Sequence, residues 1–176
     1  ALYHACQSGQ SVHALYIATP QQWREHDDAH VKIDFWHRNL VSLQQALAKL
    51  NIELHFFQVD SYQQIPELIA AICQRWHIEQ LYFNHEYPIN ERQRDQQVIK
   101  RCQNISVHSQ RYHDQLLLGP ASIRTKTGTP FKVFTPFSSR ARKNLYDSPH
   151  IYPVPEPCQK STVDNLIHEC NLEDIS

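Results

Sequence analysis

Apolar and polar positions along this chain switch between a period of two and a period near 3.6, and the switches mark out its elements. Residues 1–8 read as the end of a helix, with Gly9 as its stop. Residues 12–18 (VHALYIA) are short, apolar and bounded by turn formers, which predicts a buried strand. A loop is expected from Thr19 to about Asp27. A long helix follows, in which Trp36, Leu40, Leu43, Leu47 and Leu50 share one face and Asn51 ends the run. Residues 52–59 (IELHFFQV) predict a second strand. The next helix puts Ile65, Leu68, Ile69, Ile72 and Trp76 on one face, with Pro66 tolerated only in its first turn. Residues 80–84 predict a third strand, 90–103 a polar helix gripped by Val98, Ile99 and Cys102, and about 105–110 a fourth strand.

Strand and helix therefore alternate at least three times, which calls for an α/β layer fold on a parallel sheet. A βαβ unit requires a strand ahead of the opening helix, so a first strand before Ala1 is expected. Beyond residue 113 the regularity stops. Residues 115–146 carry six basic side chains and no acidic one, whereas 147–176 carry six acidic ones against Lys160 alone. Pro149, Pro153, Pro155 and Pro157 make the start of the last stretch extended. Residues 1–145 are thus read as one domain and 146–176 as an interdomain linker with a short helix near 161–170, leading to a further domain.

Composition narrows the function. The chain has 176 residues, 41% apolar and 20% charged, ordinary for one globular domain. The absence of methionine suggests a piece of a longer chain. A net charge of −1 argues against clamping DNA by bulk electrostatics. No apolar run reaches 18 residues and no basic-then-apolar leader opens the chain, so no membrane partner and a cytoplasmic location are expected. Only Gly9, Gly119 and Gly128 are glycines, which excludes the G-x-G-x-x-G and Walker A phosphate loops. The five cysteines are odd in number, widely spaced and without C-x-x-C, so neither a zinc centre nor a disulfide framework is expected, and no metal site is assigned.

Ligands of open α/β sheets sit at the carboxyl ends of the strands. Two loops there carry chemistry, TPQQWREHD after the first strand and HEYPINER after the third. Asn90 followed by Gln93 has the spacing of a capping box, with Glu91 complementing the helix dipole. The functional alternative is a Glu91 carboxylate beside the Asn90 amide in a cleft. A carboxylate accepts two hydrogen bonds side by side, which suits the ring edge of a pterin or guanine. Trp23 is read as a lid over the sheet edge and His26 as a solvent-facing loop histidine, and either could line the same cleft; Trp36 and Trp76 are read as core. The stretch KVFTPFSSRARKN (132–144) is either a nucleic-acid patch or a packed aromatic segment with solvated cations. Ser109 and Asp114 offer no convincing Ser-His-Asp site.

The blocks ALYIATPQQW (14–23), YPINERQRD (87–95) and KVFTPF (132–137) resemble, in order, the amino-terminal domain of the DNA photolyase/cryptochrome family, most of all its bacterial folate-type cyclobutane pyrimidine dimer photolyases. The resemblance covers about residues 1–145. It implies a Rossmann-like open parallel sheet with helices on both faces that holds an antenna chromophore, methenyltetrahydrofolate. It further implies a carboxyl-terminal helical domain, outside this sequence, that binds FAD and UV-damaged DNA. The antenna passes excitation to reduced flavin, which donates an electron to split the pyrimidine dimer. This stretch would then be a non-catalytic part of a monomeric deoxyribodipyrimidine photo-lyase. Carried over residue by residue, Glu91 matches the carboxylate that holds the pterin edge, Asn90 its neighbour and His26 a loop contact. The alternatives are a cryptochrome-type blue-light receptor with the same antenna domain and a nucleotide-binding α/β module without photochemistry.

Overall fold

A computed structural model describes residues 1–147, 151–164 and 169–172. Its elements are α1 (Leu2–Cys6), β1 (His13–Ala18), α2 (Pro20–Glu25), α3 (His30–Ala48), β2 (Glu53–Gln58), a 3-10 turn (Tyr62–Gln64), α4 (Ile65–Arg75), β3 (Gln80–Asn84), α5 (Ile89–Asn104), β4 (His108–Tyr112), α6 (Phe134–Asp147) and β5 (Glu169–Cys170). The mixed α/β architecture expected from the periodicity is present, with β1 parallel to β2 and β3 parallel to β4.

The period-two alternation of β1 and β2 sorts their side chains between two helical layers. Leu54 and Phe56, with Ala14 and Tyr16, pack on Leu40 and Leu47 of α3. Phe57 and Leu15 face the other way, onto Leu68 and Ile72 of α4 and onto Trp76. Both faces of β2 are therefore covered, which is why residues 54–57 form an unbroken buried run. Helix α5 packs beside α4, and Val98 and Cys102 are the side chains it buries deepest in the apolar core.

Three helices end alike. After α3, α4 and α5, residues Asn51, His77 and Ser106 take positive φ of 59°, 55° and 62°. In each case the next amide reaches back five residues (Ile52 to Leu47 O, Ile78 to Cys73 O, Val107 to Cys102 O) at 2.8–3.0 Å. This is the Schellman closure, achieved without glycine and turning each helix straight into the next strand. Gly9 (φ 74°) serves the turn after α1.

Several expectations are corrected. The loop after β1 contains a helical stretch, α2, because Pro20 sits at its first position, where a missing N–H costs nothing. Helix α5 starts at Ile89 with Pro88 as its cap, so Asn90 lies inside the first turn and forms no capping box. Residues 134–147 form α6, with Pro136 tolerated near its start, and Phe134 on it is 75% exposed rather than packed. No helix covers 161–164, and Glu169–Cys170 pair antiparallel with Phe57–Phe56 of β2; residues 165–168 lie outside the described residues. Among the described residues after α6, Cys158 and Gln159 lie on the domain. Asn51 Nδ2 donates to Cys158 O (3.0 Å), Cys158 N donates to Leu50 O (2.8 Å), and Ser11 bridges Gln159.

Among the described residues the strands form two sheets, β1-β2-β5 and β3-β4. The sheets share a core, since Ile17 of β1 and Leu81 of β3 pack on the same cluster of Ile65, Val98 and Cys102. No helix of the described residues is long and apolar enough to cross a membrane.

Candidate functional site at the carboxyl ends of the strands

Three segments that follow β1, β2 and β3 converge on one cleft of about 230 Å³. From α2 come Gln22, Glu25 and His26; from the turn after β2 come Ser61, Tyr62 and Gln63; from the first turns of α5 come Asn90, Gln93, Arg94 and Gln97. All three lie beyond carboxyl strand ends, where ligands of open sheets bind. The lining is almost wholly amide, hydroxyl and charged, so what it recognises is a polar outline and not an apolar surface.

The turn after β2 is fixed locally. Gln64 Oε1 accepts from the backbone of Asp60 (2.8 Å) and Ser61 (3.1 Å), closing a capping box that aims Tyr62 into the cleft. Tyr62 donates its hydroxyl hydrogen bond to Glu91 Oε1 at 3.3 Å. Burial, reinforced by the Glu91 charge, pushes the Tyr62 phenol up to about 12, so it stays a neutral donor at any physiological pH. The Arg94 guanidinium lies 4.9 Å over the Tyr62 ring, a cation–π contact.

Arg94 is itself held from the other side. Its Nη2 donates to Glu86 Oε2 (2.8 Å) and Asp95 Oδ1 (2.7 Å), and its Nε donates to Asp95 Oδ1 (3.1 Å). Burial works against its proton, but the hydrogen bonds and charges of Asp95 and Glu86 outweigh that and raise its affinity for it. The cleft thus has a rigid cationic and aromatic wall beside a carboxylate.

His26 caps α2 at its carboxyl end and lines the cleft, as does Asn90. Glu91 stands one residue on, half-buried and outside the cleft lining, joined to it through Tyr62, in the first turn of α5, where the helix dipole favours a negative charge. Its Oε1 is engaged by Tyr62, and among the described residues no hydrogen bond reaches Oε2. Trp23 packs on the α3 side of the core, 5.6 Å from Trp36, outside the cleft lining. The sequence reading passed over Tyr62 and Arg94. Arg94 stood inside the NERQRD run as a usable signal; Tyr62 had only its place after a strand end.

The family model for DNA photolyase matches residues 1–158. The chain belongs to the DNA photolyase family. It is 38% identical over 151 residues to a deoxyribodipyrimidine photo-lyase of Vibrio cholerae, covering 86% of this chain and 32% of that protein. Its fold matches the solved cryptochrome of Synechocystis with a TM-score of 0.81 at 16% identity, over 98% of this chain and 36% of that one. An archaeal photolyase from Sulfolobus tokodaii, solved with two FAD molecules and discussed for a novel light-harvesting cofactor, matches with a TM-score of 0.69 at 19% identity, over 99% of this chain and 36% of that one. The chain therefore spans about a third of the length of these relatives. The photolyase relatives place the chain in a family of lyases, and its fold is that of the family's amino-terminal domain.

Proposed function

We propose that this chain is the antenna-binding domain of a light-driven deoxyribodipyrimidine photo-lyase, and that its cleft holds methenyltetrahydrofolate by the pterin ring. The observation that carries this reading is the Glu91 carboxylate. One oxygen accepts from Tyr62, a residue of the cleft that Asn90 and His26 also line, and no hydrogen bond reaches the other among the described residues. A carboxylate so held accepts the paired N–H donors of a pterin edge. The cleft suits a bicyclic ring and is smaller than pockets that enclose whole drug-sized ligands, so the remainder of a folate would extend outside it. The bound antenna would supply light absorption. The chain's own residues orient it: Glu91 fixes the ring edge, Tyr62 fixes Glu91, and Arg94 backs Tyr62.

FAD and UV-damaged DNA are partners of a carboxyl-terminal domain in this reading. In this reading residues 1–145 are the antenna domain and 146–176 a linker that meets it at Cys158, supported by the bonds of Cys158 to Leu50 and Asn51. A first strand between β1 and β3 is supported by the shared core of two sheets that exchange no hydrogen bonds among the described residues. A cytoplasmic location is supported by the buried thiols of Cys73, Cys102 and Cys158, and the chain is read as a monomer.

The test is an absorption and fluorescence titration of methenyltetrahydrofolate into this chain and into the longer protein that carries it. A saturable, red-shifted folate band is expected in the longer protein. Glu91→Gln should weaken it by about 1–3 kcal/mol, roughly 5- to 150-fold, the size of a lost charge-assisted hydrogen bond. Unchanged affinity in Glu91→Gln would remove the site assignment. A flavin or deazaflavin bound in place of folate would keep the antenna role and replace the ligand. Competition by ATP would favour a plain nucleotide-binding module.

A further inference from the structure

At the opposite end of the sheet lies a second cluster that the antenna reading leaves unused. His13 opens β1, and its register partner on β2 is Glu53, with His55 two residues on. All three side chains therefore leave the sheet on one face, the face covered by α4. His13 Nδ1 is 3.2 Å from His55 Nε2, and His55 Nε2 is 3.7 Å from Glu53 Oε2. One ligand atom from each residue falls within 4.8 Å of the others.

We propose that His13, His55 and Glu53 form a binding site for a divalent transition metal of the zinc class, with Glu169 orienting His55. Metal–ligand bonds of about 2.0–2.1 Å at tetrahedral angles set neighbouring ligand atoms about 3.3–3.4 Å apart. The two imidazole nitrogens already stand at that separation. Glu53, 58% exposed, needs only a side-chain adjustment to close the third position.

The tautomer is also set. His55 Nδ1 is 2.7 Å from Glu169 Oε1, so Nδ1 carries the proton and donates it to the carboxylate. The Nε2 lone pair is then directed at His13 and Glu53. A histidine that ligates through one nitrogen and donates from the other to a carboxylate is the ordinary second-shell arrangement of zinc sites.

The surroundings suit a bound ion. His55 is buried, and the Trp76 ring lies 4.6 Å from the His55 ring and 5.7 Å from that of His13. Entry is from the Glu53 side, which faces solvent. Five residue steps along β1 separate His13 from Ala18, about 17 Å at 3.3 Å per step, so the site is distinct from the cleft at the carboxyl ends. Its chemical consequence is mechanical: a metal here ties β1 to β2 and, through Glu169, to β5.

The test uses this chain, stripped with a chelator and titrated with Zn²⁺ by calorimetry and with Co²⁺ by visible absorption. One equivalent per chain is expected, with the visible bands of tetrahedral Co²⁺ and a Zn²⁺-dependent rise in melting temperature. His13→Gln and Glu53→Gln, both spared the burial of His55, should each weaken binding at least tenfold while circular dichroism shows the fold intact. Glu169→Gln should weaken it about 10- to 100-fold, as for other second-shell carboxylates. His85→Gln, in the stacked His85–His113 pair 4.2 Å apart, should leave the titration unchanged. Substoichiometric binding, or affinity indifferent to both His13→Gln and Glu53→Gln, would overturn the site and leave the cluster as a hydrogen-bonded relay.

Discussion

Replacing Arg94 by Gln should cost more stability than replacing its partner Asp95 by Asn. Asp95 is 3% exposed, and only its Oδ1 is bonded, twice, by Arg94. Its Oδ2 is buried with no hydrogen-bond partner among the described residues. Arg94→Gln leaves that carboxylate in a low-dielectric site without its cation, a change that costs about 3–5 kcal/mol. Asp95→Asn removes the charge that was expensive to bury. Arg94 keeps Glu86 at 2.8 Å and a side chain 18% exposed, and the new amide oxygen can still accept both Arg94 bonds, so the loss is their charge assistance, about 1.5–3 kcal/mol at most. Against a total stability of 5–15 kcal/mol for a typical domain, the first change removes about a fifth of it at least. Urea denaturation of both single variants and the double variant at pH 7 measures the two costs and their coupling. The double variant should be more stable than Arg94→Gln alone, because the orphaned charge is gone. A cost below about 1 kcal/mol for Arg94→Gln, or one smaller than that of Asp95→Asn, would refute the view that Arg94 neutralises Asp95.

Other outcomes follow from the same contacts. Phe57→Ala, at a fully buried position between Leu15, Ile72 and Trp76, should cost about 3–5 kcal/mol in urea unfolding with an unchanged denaturant slope. His77→Gly should stabilise by about 0.5–1 kcal/mol by relieving its left-handed backbone, whereas Asn51→Gly should give no gain, because Asn51 Nδ2 also bonds Cys158 O; thermal melts separate the two. His13, lowered by burial and His55, and His85, lowered by burial, His113 and Arg111, both have folded values below the unfolded 6.5. Their contribution is complete above pH 6.5 and is lost as pH falls through the folded values. With chelator present, the unfolding midpoint should fall between pH 7 and pH 5, and His13→Gln should show a smaller fall.

Periodicity alone was enough to place β1, α3, β2, α4, β3 and α5, because each buries a face whose spacing is dictated by its own backbone. Asn51 was legible as a stop for a similar reason: its conformation is local. The NERQRD run and the loop after β1 marked one end of the sheet, and His26 and Asn90 do line a common cleft there. Helix α6 was missed because its apolar residues face outward and leave no buried stripe to read, with Phe134 75% exposed and Tyr146 85%. Strand β5 was missed because two residues carry no period; they become a strand only when β2 offers an edge. Tyr62 reached Glu91, 29 residues away, and Trp76 reached His55 only through the packing of α4 against β2. The pairing of His13 with His55, 42 residues apart, depends on strand register. A one-residue slip would send one of them to the other face of the sheet. Local spacing, then, determined which segments are helices and strands. Which side chains meet was decided by register and layer packing, since those are settled by burial summed over the whole core.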